Sequence, residues 1–71
     1  MFEIDGFIIV LHYVRCVYPI EAEKSGMGWF LGFKFSDGFY ECFNFKTQKQ
    51  AKDIRNSLLG AIKEYWGRRP L

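Results

Sequence analysis

The stretch that decides the fold is residues 29–45, with the sequence WFLGFKFSDGFYECFNF. Apolar and aromatic residues alternate with small or polar ones on both sides of the SDG tripeptide, a pattern typical of two antiparallel strands joined by a turn. A three-residue loop with glycine in last place pairs Phe35 with Phe39. We therefore predict a β-hairpin with strands at residues 29–35 and 39–46.

This register sorts the side chains of the hairpin into an apolar face and a mixed face. The apolar face carries Trp29, Leu31, Phe33, Phe35, Phe39, Phe43 and Phe45, with Glu41 as the single charged member. The mixed face carries Phe30, Gly32, Lys34, Tyr40, Cys42, Asn44 and Lys46. A two-residue loop would instead pair Lys34 with Glu41, but it would spread the phenylalanines over both faces, which is costly when one face is buried. Gly32 inside a strand indicates a bulge or a close approach of another group.

The segment before the hairpin predicts one long strand over residues 7–18, because it is rich in β-branched and aromatic residues. Asp5-Gly6 is a turn signal, so residues 1–4 are expected to pair back as a short extra strand. Pro19 ends the long strand, and residues 20–28 predict a mobile polar loop. Two alternating sets compete for the mixed face: Val10, Val14, Cys16 and Tyr18, or Ile9, Leu11, Tyr13 and Val17.

The segment after the hairpin predicts one amphipathic helix over residues 48–66. Thr47 and Gln50 have the spacing of a capping box, and Gly67 is expected in the left-handed position that ends a helix. A disordered tail at residues 68–71 follows. Apolar residues recur at steps of three and four on one side of the helix: Ala51, Ile54, Leu58, Ala61, Ile62 and Tyr65.

These elements predict a single α+β domain of residues 1–71. An antiparallel sheet of three to four strands is followed by one C-terminal amphipathic helix packed on one face, in the order β-β-β-(β)-α. Cys16 and Cys42 are too few for a disulfide scaffold, so we expect reduced, half-buried thiols and a cytoplasmic protein. The N-terminus is acidic and no apolar run approaches the roughly 20 residues of a membrane helix, so we expect neither export nor a membrane partner.

Side chains suited to catalysis or metal binding are few and badly spaced. His12 is the single histidine, and on a strand it lies ~13 Å from Cys16, too far to share a metal ion. No residue is placed to orient the imidazole toward Cys42 for nucleophilic catalysis. Glu21 and Glu23 fall in the predicted loop, where solvated carboxylates keep ordinary properties. We therefore predict no catalytic residues, no metal site and no cofactor.

The aromatic content exceeds what one helix can cover. Eight Phe, four Tyr and two Trp make up 20% of the chain, and a single helix covers one face of a sheet. An exposed apolar patch indicates an interaction site. We therefore predict a non-enzymatic protein-interaction module that forms a homodimer or docks on a larger protein as an inhibitor or adaptor. The predicted interaction face consists of Phe30, Tyr40, Trp66 and Tyr18.

The distribution of charge supports an alternative function. Residues 1–41 contain three basic and six acidic residues, a net charge of −3, whereas residues 42–71 contain seven basic and two acidic residues, a net charge of +5. Exposed aromatics can stack on bases while neighbouring cations neutralise phosphates. The alternative is a sequence-tolerant, single-stranded nucleic-acid-binding protein. Its candidate cations are Lys34, Lys46, Lys49, Lys52, Lys63, Arg68 and Arg69.

Overall fold

The structure, a computed structural model, describes residues 2–68. It contains a two-stranded and a four-stranded antiparallel sheet followed by one C-terminal helix, which confirms the predicted α+β class and element order. The elements are β1 (Phe2–Ile4), β2 (Phe7–Ile9), a short 3-10 helix (Leu11–Tyr13), β3 (Val14–Val17), β4 (Glu21–Ala22), β5 (Trp29–Phe35), β6 (Tyr40–Phe45) and the helix α1 (Gln48–Gly67).

The hairpin formed by β5 and β6 has the predicted register. Phe33 pairs with Glu41 across the two strands, and the Phe35 N–H donates a hydrogen bond of 2.8 Å to the Phe39 carbonyl. Gly38 closes the three-residue loop with φ +94°, a conformation that favours glycine. One assignment is wrong: Phe39 is 70% exposed rather than part of the apolar face, because it lies in the turn before β6 begins.

Strand β5 is the central strand of the larger sheet. Strand β6 pairs with residues 29–34 of β5. Strand β3 pairs with residues 33–35 of β5, and β4 pairs with residues 29–30. Because a strand has only two edges, β3 and β4 follow one another along the same edge. The predicted loop at residues 20–28 is therefore wrong at its start, where Glu21–Ala22 forms a strand. The Glu23 N–H extends this pairing to the Gly28 carbonyl at 2.9 Å.

The predicted long strand at residues 7–18 is also wrong. Its first part is β2, which pairs with β1 through a two-residue turn whose residues Asp5 and Gly6 have φ +49° and +83°. This confirms the predicted extra strand for residues 2–4. The 3-10 helix then redirects the chain into β3, so that the two sheets are separate.

A register shift in β3 decides which of its side chains reach each side of the larger sheet. Val14 pairs with Phe35 and Cys16 with Lys34, so one extra residue lies between them. Beyond this shift Cys16 and Tyr18 lie on the side opposite to Val14 and Val17. Neither of the two predicted alternating sets is correct, because a bulge interrupts the alternation on which both were based.

The helix α1 covers the apolar face of the larger sheet. Its capping box forms as predicted: the Gln50 N–H donates to Thr47 Oγ1 at 3.1 Å, and the Thr47 N–H donates to Gln50 Oε1 at 3.3 Å. All six predicted positions of the apolar stripe are buried or half-buried. The buried core consists of Ile4, Ile9, Leu11, Val14, Leu31, Phe33, Phe43, Ala51 and Leu58.

The end of α1 differs from the prediction. Gly67 is the last helical residue rather than a left-handed cap, because the Arg68 N–H still reaches the Glu64 carbonyl at 3.2 Å and keeps the backbone helical. Arg68, the first residue of the predicted tail, is the C-cap residue of α1. The rest of that tail, residues 69–71, lies outside the described residues.

Candidate interaction face

The side of the four-stranded sheet that α1 does not cover is called the outer face here. Leu31 and Phe33 point into the core, and side chains alternate along a strand, so their neighbours on β5 point the other way. The same reasoning holds for β6, where Phe43 is buried. The outer face consists of Cys16, Tyr18, Glu21, Phe30, Gly32, Lys34, Tyr40, Cys42 and Asn44.

Tyr18 and Tyr40 meet across the middle of the outer face. Their ring centroids lie 5.6 Å apart with an angle of 58° between the planes. The backbone beneath them is Gly32, whose carbonyl accepts a hydrogen bond of 2.9 Å from the Tyr18 N–H. A Cβ atom at position 32 would lie 2.2 Å from the Tyr40 hydroxyl. The close approach expected at Gly32 is thus confirmed, and the group that approaches is an aromatic ring.

These rings border a small open pocket on the outer face. The pocket has a volume of about 170 Å³ and is lined by Tyr18, Pro19, Glu21, Phe30, Gly32 and Tyr40. Three of the four residues predicted for the interaction face therefore lie together. Glu21 and Pro19 were not predicted as site residues. Strand β4 pairs Glu21 with Phe30 and so brings this carboxylate to the pocket. The sequence of this segment resembles a polar loop and gives no indication of that strand.

A residue of the helix fixes the corner of the chain at the edge of this pocket. Arg55 Nε donates a hydrogen bond of 2.9 Å to the Tyr18 carbonyl. This bond links α1 to the end of β3, next to Pro19. The contact joins residues 37 positions apart, so no local pattern in the sequence indicates it.

The two cysteines lie on the outer face and are free and exposed, which confirms unbridged thiols but not their predicted half-burial. Cys16 pairs with Lys34 and Cys42 with Gly32 on opposite edges of β5. Two strand spacings, roughly 9.6 Å, therefore separate their backbones. A disulfide requires Cα atoms within about 7 Å, so this geometry does not allow a bridge between them.

Each thiol influences the tyrosine two residues away in the sequence. Hydrogen bonding to Cys16 raises the pKa of Tyr18, with smaller contributions from desolvation and from the charge of a Cys16 thiolate. Hydrogen bonding to Cys42 raises the pKa of Tyr40, followed by desolvation and the negative charges of Cys42, Glu21 and Tyr18. Both shifts keep the tyrosine hydroxyls neutral to higher pH.

Trp66, the fourth residue of the predicted interaction face, lies elsewhere in the fold. Its ring contacts the His12 ring in a tilted arrangement, with centroids 5.1 Å apart and 32° between the planes, and contacts Tyr65 edge to face at 5.3 Å. His12 Nδ1 is 2.9 Å from the Tyr65 hydroxyl. Trp66 therefore packs at the C-terminal end of α1 against the 3-10 helix. The structure does not bring it together with the three aromatics of the outer face.

The predicted cations are also divided. Lys34 lies on the outer face, and Lys46 directly follows β6. Lys49, Lys52 and Lys63 project from α1, which packs on the opposite side of the sheet. Two of the cations in this helical region are ion-paired, Lys49 with Asp53 at 2.8 Å and Arg68 with Glu64, and Asp53 raises the pKa of Lys49 by its hydrogen bond and charge. Arg69 lies outside the described residues.

A second apolar surface was not predicted from the sequence. It surrounds the end of β2 and the 3-10 helix, and its side chains are half or more exposed: Phe7, Ile8, Val10 and Tyr13. Ile8, Val10 and Tyr13 border a groove of about 340 Å³ together with Phe35, Ser36 and Asp37. We call the groove bordered by these six residues the hairpin groove. The four exposed apolar residues were predicted to belong to one long strand, and the 3-10 helix that separates β2 from the larger sheet has no signal in the sequence.

The described part of the chain offers neither a cluster of metal ligands nor a membrane-spanning helix. Within residues 2–68, no group of three or more His, Cys, Asp or Glu side chains is arranged to hold a metal ion. None of the helices in that range is long and apolar enough to cross a membrane. Comparison with family models, curated proteins and solved structures gave no match.

Proposed function

We propose that this chain is a non-enzymatic protein-interaction module that binds a partner protein through its outer face. The partner is a second copy of the chain or a larger protein. The observation that carries the proposal is the convergence of Tyr18, Phe30 and Tyr40 on one pocket, on the side of the sheet away from α1. Aromatic residues are enriched at protein interfaces and supply most of their anchors.

The way in which the outer face is built supports this proposal. Phe30 and Tyr40 stand on paired strands, and Tyr18, which directly follows β3, is held by its hydrogen bond to Gly32 and by Arg55. Side chains held on regular elements lose little conformational entropy on binding. Two exposed, unbridged thiols on the same face are typical of a reducing compartment, so cytoplasmic localisation is part of the proposal.

Single-stranded nucleic-acid binding, the alternative, has weaker support. Base stacking and phosphate neutralisation require aromatics and cations along one path. Here Lys34 is the predicted cation that shares the outer face with Tyr18 and Tyr40, while the lysines of α1 lie on the opposite side of the sheet. Glu21 adds negative charge at the pocket itself.

The test compares association in matched variants of the two apolar surfaces. Tyr40→Ser alters the outer face, and Ile8→Ser alters the hairpin groove at a residue of similar exposure, 55% against 52%. Sedimentation velocity over a concentration series measures the self-association of each protein. A pull-down with each variant as bait, run in parallel, measures binding to a larger protein.

We expect Tyr40→Ser to weaken association by about 30-fold, as loss of a central anchor worth about 2 kcal/mol does, and Ile8→Ser to leave it unchanged. The proposal fails if the wild type is monomeric and if every protein that it captures in the pull-down is also captured by Tyr40→Ser. It also fails if Ile8→Ser is the variant that abolishes association. If the wild type binds an oligonucleotide at low salt and Tyr40→Ser abolishes that binding, the nucleic-acid alternative is favoured instead.

A further inference from the structure

The pocket of the outer face is bordered by one carboxylate that has no hydrogen-bond or ion-pair partner among the described residues. Glu21 borders the pocket, and within residues 2–68 its side chain forms no hydrogen bond or ion pair. The neighbouring Glu23, by contrast, accepts a hydrogen bond of 3.1 Å from Asn44 Nδ2. Glu21 therefore places an uncompensated negative charge beside three aromatic rings.

Aromatic rings and a carboxylate together favour a cation. The faces of Tyr and Phe rings carry partial negative charge and attract cations within about 6 Å of the ring centre. Tyr18 and Tyr40 are neutral near physiological pH, and a carboxylate beside them adds a full charge of the same sign. The pocket, at about 170 Å³, is smaller than the roughly 300–1,000 Å³ of sites for drug-sized ligands. It therefore suits the head group of one side chain.

The charge of the outer face changes sign along β5. Glu21 lies beside Phe30, at the start of the strand, and Lys34 lies four residues further on, a distance of ~13 Å along a strand. Lys34 pairs with Tyr40 across β5 and β6, but its side chain borders a neighbouring cavity with Arg15, Cys16 and Tyr18 and does not line the aromatic pocket. A cation bound near Phe30 is thus attracted by Glu21 and repelled from further away by Lys34.

We propose that the pocket between Tyr18, Phe30 and Tyr40 binds the guanidinium group of an arginine side chain that the partner protein presents, with Glu21 as its counter-ion. This assignment rests on the proposed function of the outer face and names the chemistry of the partner. The guanidinium group lies flat against a tyrosine ring while its N–H groups donate to the Glu21 carboxylate.

The shape of the pocket favours arginine over other organic cations. The pocket is open to solvent and bordered by rings that meet at an angle. A planar guanidinium group stacks on such a surface and retains donors for a carboxylate, whereas an ammonium group is a compact, strongly hydrated charge. A trimethylammonium group has no N–H donor, so it would keep the contact with the rings but lose the hydrogen bonds to Glu21.

The test is a titration of the full chain with capped tripeptides. Binding is monitored through the amide and tyrosine-ring chemical shifts in NMR spectra. The probe is acetyl-Gly-Arg-Gly-amide. Its matched controls replace the arginine by citrulline, a neutral group of the same shape, by lysine, or by trimethyllysine. We expect saturable shifts at Gly32, Tyr18 and Tyr40 with a millimolar dissociation constant for the arginine peptide. Weaker binding of the lysine and trimethyllysine peptides and no binding of the citrulline peptide are expected in parallel.

Three variants test the roles of the individual side chains. Glu21→Gln is expected to weaken arginine binding by about two- to fivefold, the effect of an exposed ion pair. Tyr40→Leu, which keeps the apolar contact but removes the ring, is expected to weaken it by about two- to fivefold. Lys34→Gln is expected to strengthen it by up to about twofold at low salt, because a like charge is removed. A purely apolar contact predicts no effect of Lys34→Gln.

The outcomes separate this inference from the proposed function. Equal binding of the citrulline peptide, or tighter binding of the trimethyllysine peptide, overturns the arginine assignment. So does wild-type affinity in Glu21→Gln. If the arginine peptide fails to bind while Tyr40→Ser still abolishes partner association, the outer face remains an interface and its ligand is not arginine. If the arginine peptide binds but Tyr40→Ser leaves partner association unchanged, the pocket is an arginine site and the proposed interface is wrong.

Discussion

The two faces of β5 carry the same residue type in opposite environments. Phe33 on the inner face is fully buried and lies between Phe35 and Phe43, with ring centroids 5.6 and 5.9 Å away. Phe30 on the outer face is half-buried and borders an open pocket. The difference shows that aromatic content alone does not distinguish a core residue from a binding residue. The position of the single helix makes that distinction, because α1 covers one face and leaves the other available.

The largest expected effect comes from truncating the same residue type on each face. Phe33→Ala is expected to lower the free energy of unfolding by about 3–5 kcal/mol, because it leaves a cavity in a packed core. Phe30→Ala is expected to lower it by about 1 kcal/mol, since its side chain is already partly solvated. Urea denaturation of both variants measures the difference. If Phe33→Ala does not fold, Phe33→Leu is expected to lose about 1 kcal/mol. Equal losses for the two alanine variants would contradict the comparison.

The next effect concerns the hydrogen bond between α1 and Tyr18, the residue that directly follows β3. Arg55→Met keeps the apolar stem but removes the hydrogen bond to the Tyr18 carbonyl. It is expected to lower the free energy of unfolding by about 1 kcal/mol. Lys52→Met on the same helix is the matched control and is expected to stay within about 0.5 kcal/mol of wild type. Indistinguishable urea midpoints for the two variants would show that Arg55 does not hold this corner.

A smaller effect tests the contact between Gly32 and the Tyr40 ring. In a Tyr40→Ala background, Gly32→Ala is expected to stabilise the protein by about 0.5–1 kcal/mol, since alanine restricts the unfolded chain and the three atoms nearest its Cβ, all of the Tyr40 side chain, are removed. In the wild type this gain is expected to be cancelled, because the new Cβ displaces the Tyr40 ring. A double-mutant cycle by urea denaturation gives the coupling energy between the positions. A coupling energy of zero would mean that the ring does not rest on Gly32.

The smallest effect is a change in tyrosine titration on the outer face. Because the pKa values of Tyr18 and Tyr40 are raised, their neutral forms stabilise the folded state below the ordinary tyrosine value of about 10. That contribution is lost as pH rises through the raised values. Tyrosinate absorbance is expected to show late-titrating groups, which move to lower pH in a Cys16→Ala, Cys42→Ala variant. An unchanged titration curve in that variant would exclude the thiols as the cause.

The sequence predicted the parts of this fold that depend on local chemistry. The SDG tripeptide set the loop of the hairpin, and the loop set the pairing along β5 and β6, because turn length fixes strand register. Thr47 and Gln50 marked the start of α1, and the apolar repeat marked its buried side. The prediction that Phe30 and Tyr40 lie on one face followed from that register, whereas Tyr18 was added from one of two alternating sets that the bulge in β3 interrupts. Whether this face binds a partner is a proposal that these observations support.

Residues 7–18 behaved differently, because nearly every position in this segment is apolar or aromatic. A strand without a polar side gives no signal for the face that each residue occupies. The 3-10 helix and the bulge in β3 depend on contacts with the helix and with β5, which are distant in sequence. For the same reason Glu21 and Arg55 were missed as site residues, and Trp66 was grouped with aromatics that it does not contact.

The amino-acid sequence by itself therefore determined the α+β class, the order of strands before one C-terminal helix, the hairpin register and the excess of aromatic side chains. Only the tertiary structure decided that Tyr18 and Tyr40 meet over Gly32, that Glu21 joins their pocket, and that Trp66 packs on His12 instead. The physical reason is the range of the interactions involved. Turns, caps and periodic patterns act within a few residues, whereas the grouping of side chains on a face depends on how separate strands and the helix pack.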